Sequence, residues 1–279
     1  MMIASRFILT IILLMNSLCV FSYKIVTLSP NTAVIVHDII LSANNVNNLP
    51  RIVGTIRYKG EPQYFSNYQN IGNSSYININ KIISLDPDII IAEEGINNKF
   101  QIIQLRNLGY NVITIKIEYL EDIAHVIRVI GLLVRLPKVS NQMSQKYENS
   151  IKVLERDVDL SRKPKVFIEL SRYPLYTIGN LGITSEIVNF CGGKNIFQDL
   201  NTVAATVSIS SVIKRDPDII IVFNSQRKYQ KGYWSKLINI HADNIYSINP
   251  NLLLEGGIGR VDGIRKICEI IKKYYIKNS

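Results

Sequence analysis

The chain has 279 residues, of which 47% are apolar and 19% charged. That balance supports a sizeable core and excludes a disordered chain, and the length suits two domains of ordinary size. The formal net charge of +10 is spread along the chain with no basic stripe interleaved with aromatics. Nucleic acid is therefore excluded as the expected partner; a basic surface, or attraction to anionic headgroups or an acidic ligand, remains.

Residues 1–22 read as a cleavable signal peptide. Arg6 gives a positive start, Phe7 to Met15 is apolar apart from Thr10, and Val20 and Ser22 suit the sites before a cut at Tyr23. The apolar run is short for a membrane span. An uncleaved anchor is one alternative. A lipoprotein signal at Cys19 is another, although Asn16-Ser17-Leu18 is a poor match to such a signal.

The mature chain then alternates strands and helices. A strand over Lys24 to Leu28 runs into the turn Ser29-Pro30-Asn31 and an apolar helix from Thr32 to Leu41. A second strand follows at Arg51 to Val53. Residues 55–76 form a polar, aromatic segment with Tyr58, Tyr64, Phe65, Tyr68 and Tyr76, read as a long functional loop. Helices are expected over Lys99 to Leu108 and Tyr119 to Leu136, with a strand at Asn111 to Ile115 between them. This is the pattern of a parallel sheet wrapped by helices.

Val139, Met143, Tyr147, Ile151, Leu154 and Val158 then recur every three or four positions. They predict one helix of about 20 residues, roughly 30 Å long, with Pro137 in its first turn. No strand interrupts it, so it reads as a strut between two halves. The alternation restarts after Pro164. A strand over Lys165 to Leu170 leads into a loop over Ser171 to Asn180, then a helix capped by Thr184 or Ser185 and ended by Gly192-Gly193. A loop with Tyr229, Tyr233 and Trp234, a strand at Asn244 to Ile248, a glycine-rich loop at Gly256 to Gly259 and a last helix to Tyr275 complete the chain.

One phrase occurs in both halves: Asp86-Pro87-Asp88-Ile89-Ile90-Ile91 and Asp216-Pro217-Asp218-Ile219-Ile220-Ile221. Each copy follows a short helix-like stretch. The proline ends that helix, and the apolar run without polar alternation fits a strand covered on both faces. The spacing is far beyond the roughly 20–50 residues of a solenoid repeat. The fold class expected is α/β: two Rossmann-like parallel-sheet lobes joined by one long backbone helix, with a ligand cleft between them. The domains are 23–136, the connecting helix 137–160, and 161–279.

Chemistry is sparse. His37, His125 and His241 are far apart and no pair has metal-ligand spacing, so neither a metal nor a cofactor is expected. The glycines near 257–263 do not make a dinucleotide loop, and no nucleophile elbow or phosphate loop is present. Glu93-Glu94, just past a strand end, is the one acidic pair placed for acid–base work, without a visible catalytic partner. Cys191 and Cys268 form an even pair on inward helix faces. They read either as a disulfide in an exported protein or as two buried thiols. With loops beyond the carboxyl ends of two parallel sheets, where ligands bind, the simplest reading is a non-catalytic carrier. An enzyme using Glu93 and Glu94, or a ligand-free interaction protein, are the competing readings.

At this point the chain resembles the periplasmic solute-binding proteins of ABC importers that have a helical backbone, above all the cobalamin-binding branch and its iron–siderophore relatives. The resemblance rests on Lys24 to Asn31, on Asn78 to Ile82 before Asp86-Pro87-Asp88, on Pro174 to Thr177 with Cys191 to Phe197, and on Val207-Ser208 before Asp216-Pro217-Asp218. It implies a small-molecule metal chelate held between rigid lobes, corrinoid-like or else an iron–siderophore or haem. It also implies an inner-membrane permease with its ATPase as partner, a periplasmic location and a monomer. Pro30, Asn31, Tyr58, Glu93 and Tyr176 are the implied ligand-binding residues. Cys191 and Cys268 match a disulfide of that branch. Asn80 and Ser210 stand where the family carries its two permease-docking glutamates, and Ser74, Glu93 and Ala204 where the cobalamin binder carries tryptophans. Glu255-Gly256-Gly257 matches the family's closing loop in part. An acidic chelate would call for basic side chains in the cleft, such as Arg57 or Arg172; a corrinoid calls for an aromatic, near-neutral one.

Overall fold

Two parallel sheets carry the molecule. The computed structural model describes residues 22–44, 47–58, 60–73, 75–156, 158, 163–223, 232–238, 240–254 and 257–278. Most of the leader, and with it Cys19, lies outside the described residues, as do Ser74, Tyr229, Glu255 and Gly256.

The first sheet contains β1 (Lys24–Thr27), β2 (Arg51–Thr55), β3 (Gln69–Asn70), β4 (Ile89–Glu93) and β5 (Val112–Ile115), in the order β3-β2-β1-β4-β5. Around it lie α1 (Pro30–Ser42), α2 (Ile79–Leu85), α3 (Lys99–Asn107) and α4 (Leu120–Leu133). The strut is α5 (Pro137–Arg156). The second half contains β6 (Lys165–Glu169), β7 (Ser171–Arg172), β8 (Leu175–Ile178), α6 (Ile183–Phe190), β9 (Lys194–Asn195), β10 (Ala204–Thr206), α7 (Ile209–Arg215) and β11 (Ile219–Phe223). It ends with α8 (Gly232–Leu237), β12 (Ile245–Ile248), α9 (Asn251–Leu254) and α10 (Arg260–Asn278). Its parallel sheet runs β12-β11-β6-β9, and a separate antiparallel sheet runs β10-β8-β7.

The repeated phrase forms equivalent structures. Asp86 and Asp216 both end a helix in the left-handed region, at φ 48°, a conformation that aspartate tolerates better than most residues. Asp88 Oδ2 then accepts the Lys24 N–H at 2.6 Å, and Asp218 Oδ2 accepts the Lys165 N–H at 2.7 Å. The first strand of each sheet is thereby tied to the start of its neighbour, with Ile25 opposite Ile89 and Val166 opposite Ile219. The isoleucine runs are covered on both faces. Ile89, Ile91, Ile219 and Ile221 face one core that continues through the helical junction; Ile90 faces a second core and Ile220 a third.

The strut packs its inward residues, Met143, Tyr147 and Leu154, into that continuous core. The turn at Arg135-Leu136 folds it back along α4, and the tight approach of Gly131 to Ser140 permits close contact: a Cβ at 131 would lie 1.8 Å from the Ser140 hydroxyl. α10 lies against the strut from the second half. Cys191, at the end of α6, is disulfide-bonded to Cys268 on α10. The bridge closes a loop of 77 residues.

Four local expectations differ. α6 begins at Ile183 behind Gly182, with no side-chain cap, so neither Thr184 nor Ser185 caps it. Ser171 to Asn180 is a hairpin rather than a loop, because Leu175 and Thr177 alternate inward and β8 gains β10 as a partner. Part of 55–76 is ordered as a 3-10 turn over Gln63–Asn67 followed by β3, with Phe65 buried beneath. Tyr233 and Trp234 lie on α8, and Trp234 is wholly buried. Among the described residues no helix is long and apolar enough to cross a membrane.

Candidate functional site

In the first sheet the strand order reverses direction at β1 and β4, the place where open parallel sheets bind ligands beyond their carboxyl ends. The chain leaves β1 through Leu28 and Ser29, whose side-chain oxygen accepts the Thr32 N–H at 3.1 Å and caps α1. Pro30 then occupies the first helical position, where its missing N–H costs nothing. This puts Asn31, partly exposed, beside the end of β4. Asn31 Nδ2 donates to both oxygens of Glu93, at 2.9 and 3.2 Å. Glu93 is only 3% exposed. Below it, Asn97 accepts the Glu93 N–H at 2.8 Å and donates to Leu28 O at 2.6 Å, which fixes the two loop ends together.

The other face of Asn31 meets the second half. Arg260, the first residue of α10 and 2% exposed, donates from Nη2 to Asn31 Oδ1 at 2.7 Å. Burial pulls its guanidinium below the usual arginine range, and the Glu93 charge opposes that pull. Nearby, Asn251 Nδ2 donates to Gly60 O, a second link between the halves.

The aromatic segment after β2 folds over α1. Tyr58 meets Phe65 edge to face at 5.7 Å between ring centroids. Tyr64 stacks on His37 at 3.8 Å, and the Tyr68 hydroxyl bonds His37 Nδ1 at 2.6 Å. Burial lowers the His37 pKa by disfavouring the charged ring. Arg57 is held inside this loop: Nη1 donates to Glu61 Oε1 at 2.9 Å and Nη2 to Tyr68 O at 2.8 Å.

In the second sheet the buried carboxylate is Glu169, at the end of β6 and 3% exposed. It accepts from Arg172 Nε at 3.1 Å and Nη2 at 3.3 Å, and from the Trp234 indole N–H. The Arg172 guanidinium also lies over the Tyr233 ring, 4.1 Å from its centroid. Tyr176, on the hairpin that follows, is 39% exposed.

Pro30, Asn31, Tyr58 and Glu93 thus lie at the carboxyl edge of the first sheet, and Tyr176 lies on the hairpin beyond the corresponding edge of the second. Asn80 and Ser210 are exposed and equivalent. Each is the second residue of its helix, after the N-caps Asn78 and Ser208, whose oxygens accept from Lys81 N at 3.0 Å and Ser211 N at 3.1 Å. Sequence reasoning missed Glu169, Asn97, Trp234 as a buried partner, and Arg260. Only Glu169 had a signal, a carboxylate at a strand end like Glu93. An arginine opening an amphipathic helix reads as solvated.

A cavity of about 560 Å³ lies elsewhere, between the strut and α10, lined by Val153, Leu154, Cys191, Cys268 and Tyr275 among others. It comes from helix faces and not from the carboxyl-edge loops, so it is not part of this site. Among the described residues no group of three or more His, Cys, Asp or Glu is placed to hold a metal ion.

The profile of the periplasmic binding protein family matches residues 25–234. The vitamin B12-binding protein of Vibrio cholerae serotype O1 is 26% identical over 227 residues, 80% of this chain and 82% of the relative. That of Salmonella paratyphi A is 28% identical over 209 residues, 72% and 79% of the two chains. In structure, the periplasmic vitamin B12 binding protein of Vibrio cholerae superposes with a TM-score of 0.80 at 23% identity, covering 90% of this chain and 97% of that one. The periplasmic heme-binding protein of Roseiflexus sp. RS-1 in its apo form gives 0.74 at 18% identity, covering 91% and 99%.

Proposed function

The chain belongs to the periplasmic binding protein family, and from that premise we propose that it captures a metal chelate, a cobalamin-like corrinoid, and delivers it to the membrane permease of an ABC importer. The chelate lies between the two carboxyl edges. Pro30, Asn31, Tyr58 and Tyr176 touch it, with the tyrosine rings against its flat face, and Glu93 acts from beneath through Asn31. The chain folds outside the cytoplasm after a leader over residues 1–22 is removed. Asn80 and Ser210, at matching places on the two lobes, face the permease, and their neutral side chains imply docking without the paired charges that glutamates would supply.

The observation that carries the choice of ligand is charge balance. Arg57 faces Glu61, and Arg172 faces Glu169. The two arginines that would receive an acidic siderophore or the propionates of haem are thus already engaged by carboxylates. Freeing either would leave its carboxylate partly buried and unpaired, at a cost of about 1–3 kcal/mol or more. A chelate without acidic arms meets no such cost. The B12-binding relatives agree with this reading. Absorbance titration with cyanocobalamin tests it, using the wild type and Tyr176→Ala. Saturable binding weakened by about 1–3 kcal/mol in the variant is expected; no binding, or an unchanged affinity in the variant, contradicts the assignment.

A further inference from the structure

We propose that Arg260 is a positioning residue for the cleft: buried at the start of α10 in the second half, it holds Asn31 of the first in one orientation and balances the Glu93 charge, so that an anionic chelate does not meet an uncompensated carboxylate. The inference rests on the reading of the cleft as a chelate site, and nothing in that reading assigns Arg260 a role.

The argument starts from the Asn31 amide. Its two ends have nearly the same shape, so only its partners decide which way it faces. A carboxylate can only accept and a guanidinium can only donate. With Glu93 on one side at 2.9 Å and Arg260 on the other at 2.7 Å, the Asn31 NH2 must face Glu93 and its oxygen must face Arg260. Neither partner can move away, since Glu93 is 3% and Arg260 2% exposed. Asn31 alone of the three is partly open, on a helix start already fixed by Pro30. The amide therefore relays a buried charge pair to the surface a ligand meets. Arginine suits the task because it stays charged in such a place, whereas buried lysine sheds its proton readily. Without the guanidinium, Asn31 keeps Glu93 as its partner but loses its second anchor, and the Glu93 carboxylate is left as an uncompensated negative charge beneath the ligand.

The test uses four full-length proteins: wild type, Arg260→Lys, Arg260→Met, and Arg260→Met with Glu93→Gln. Each is titrated calorimetrically with cyanocobalamin, which has no acidic arm, and with haemin, which has two propionates. Arg260→Met is expected to lose at least about tenfold more affinity for haemin than for cyanocobalamin, as like charges facing each other require. Arg260→Lys, whose ammonium sheds its proton readily when buried, shifts the ratio in the same direction as Arg260→Met, and the double variant restores it. Equal losses for both probes in Arg260→Met, or a double variant that restores nothing, reduce Arg260 to a packing residue and overturn the proposal. If the wild type binds neither probe, the chelate reading fails by itself. In that case, or if only one probe binds, thermal unfolding of the same four proteins decides on the relay. The double variant must melt above Arg260→Met, because it removes the orphaned charge; an equal or lower midpoint overturns the relay.

Discussion

Tyr147 donates its hydroxyl to the carbonyl oxygen of Leu120 at 3.0 Å. Tyr147 sits mid-strut and is 1% exposed; Leu120 opens α4 in the first half. The same residue's N–H is taken from the second half, by Glu186 Oε2 at 2.7 Å. Three segments of the chain thus meet at the backbone of one residue, Leu120. Tyr147→Phe keeps the ring and removes only the donor to the Leu120 carbonyl. It is expected to cost about 1–2 kcal/mol, read as a lower urea midpoint with an unchanged slope. An unaltered midpoint would show that the strut is held by packing alone.

Glu186 gives the junction a pH dependence. Burial, with Asp122 and Glu121 nearby, pushes its carboxyl from 4.5 up to about 7, against the Leu120 hydrogen bond that lowers it. The folded state therefore binds this proton more tightly than the unfolded chain does. The stabilisation is complete below about pH 4.5 and is lost as pH rises through about 7. The full shift corresponds to roughly 3 kcal/mol; with the group only half-buried, about 1–2 kcal/mol is expected. Glu186→Gln holds the site in its neutral form. The difference in stability between wild type and variant should shrink or reverse from pH 5 to pH 8. A difference that stays constant over that range would remove Glu186 from the account.

The paired aspartates separate two roles that the repeated phrase runs together. Asp86 meets Lys24 at 3.0 Å but its side chain is 85% exposed, so the pair contributes little. What position 86 requires is its positive φ. Asp86→Gly should be close to neutral, whereas Asp86→Ala should cost about 1–2 kcal/mol. Asp88, by contrast, holds the Lys24 N–H, and Asp88→Ala should cost about 1–3 kcal/mol. The equivalent changes at Asp216 and Asp218 should follow the same order in chemical denaturation. Asp88→Ala matching the stability of Asp86→Gly would contradict the clamp.

Much of this architecture was legible in the residues. The unbroken isoleucine runs after Pro87 and Pro217 named central strands, because only a strand covered on both faces omits polar alternation. The recurrence from Val139 to Val158 named the strut. The family resemblance, and not periodicity, singled out Asn31 and Glu93, which hydrogen-bond to each other across 62 positions of sequence. What stayed hidden was pairing at long range. Nothing local marks Arg260 as buried, since its compensation comes from Asn31, 229 positions away. Likewise Trp234 reads from the sequence as part of a loop, yet its ring is buried and its N–H is spent on Glu169 inside the core. The β8 hairpin was missed because a three-residue partner strand, Ala204–Thr206, has too little apolar pattern to be seen.

Parallel calorimetry of the mature protein with cyanocobalamin, haemin and a carboxylate-bearing ferric siderophore tests the central claim most directly. The charge-balanced cleft predicts saturable one-to-one binding of cyanocobalamin, with the two acidic chelates weaker by at least about tenfold. Heat from the acidic chelates alone, or from none of the three, would contradict it.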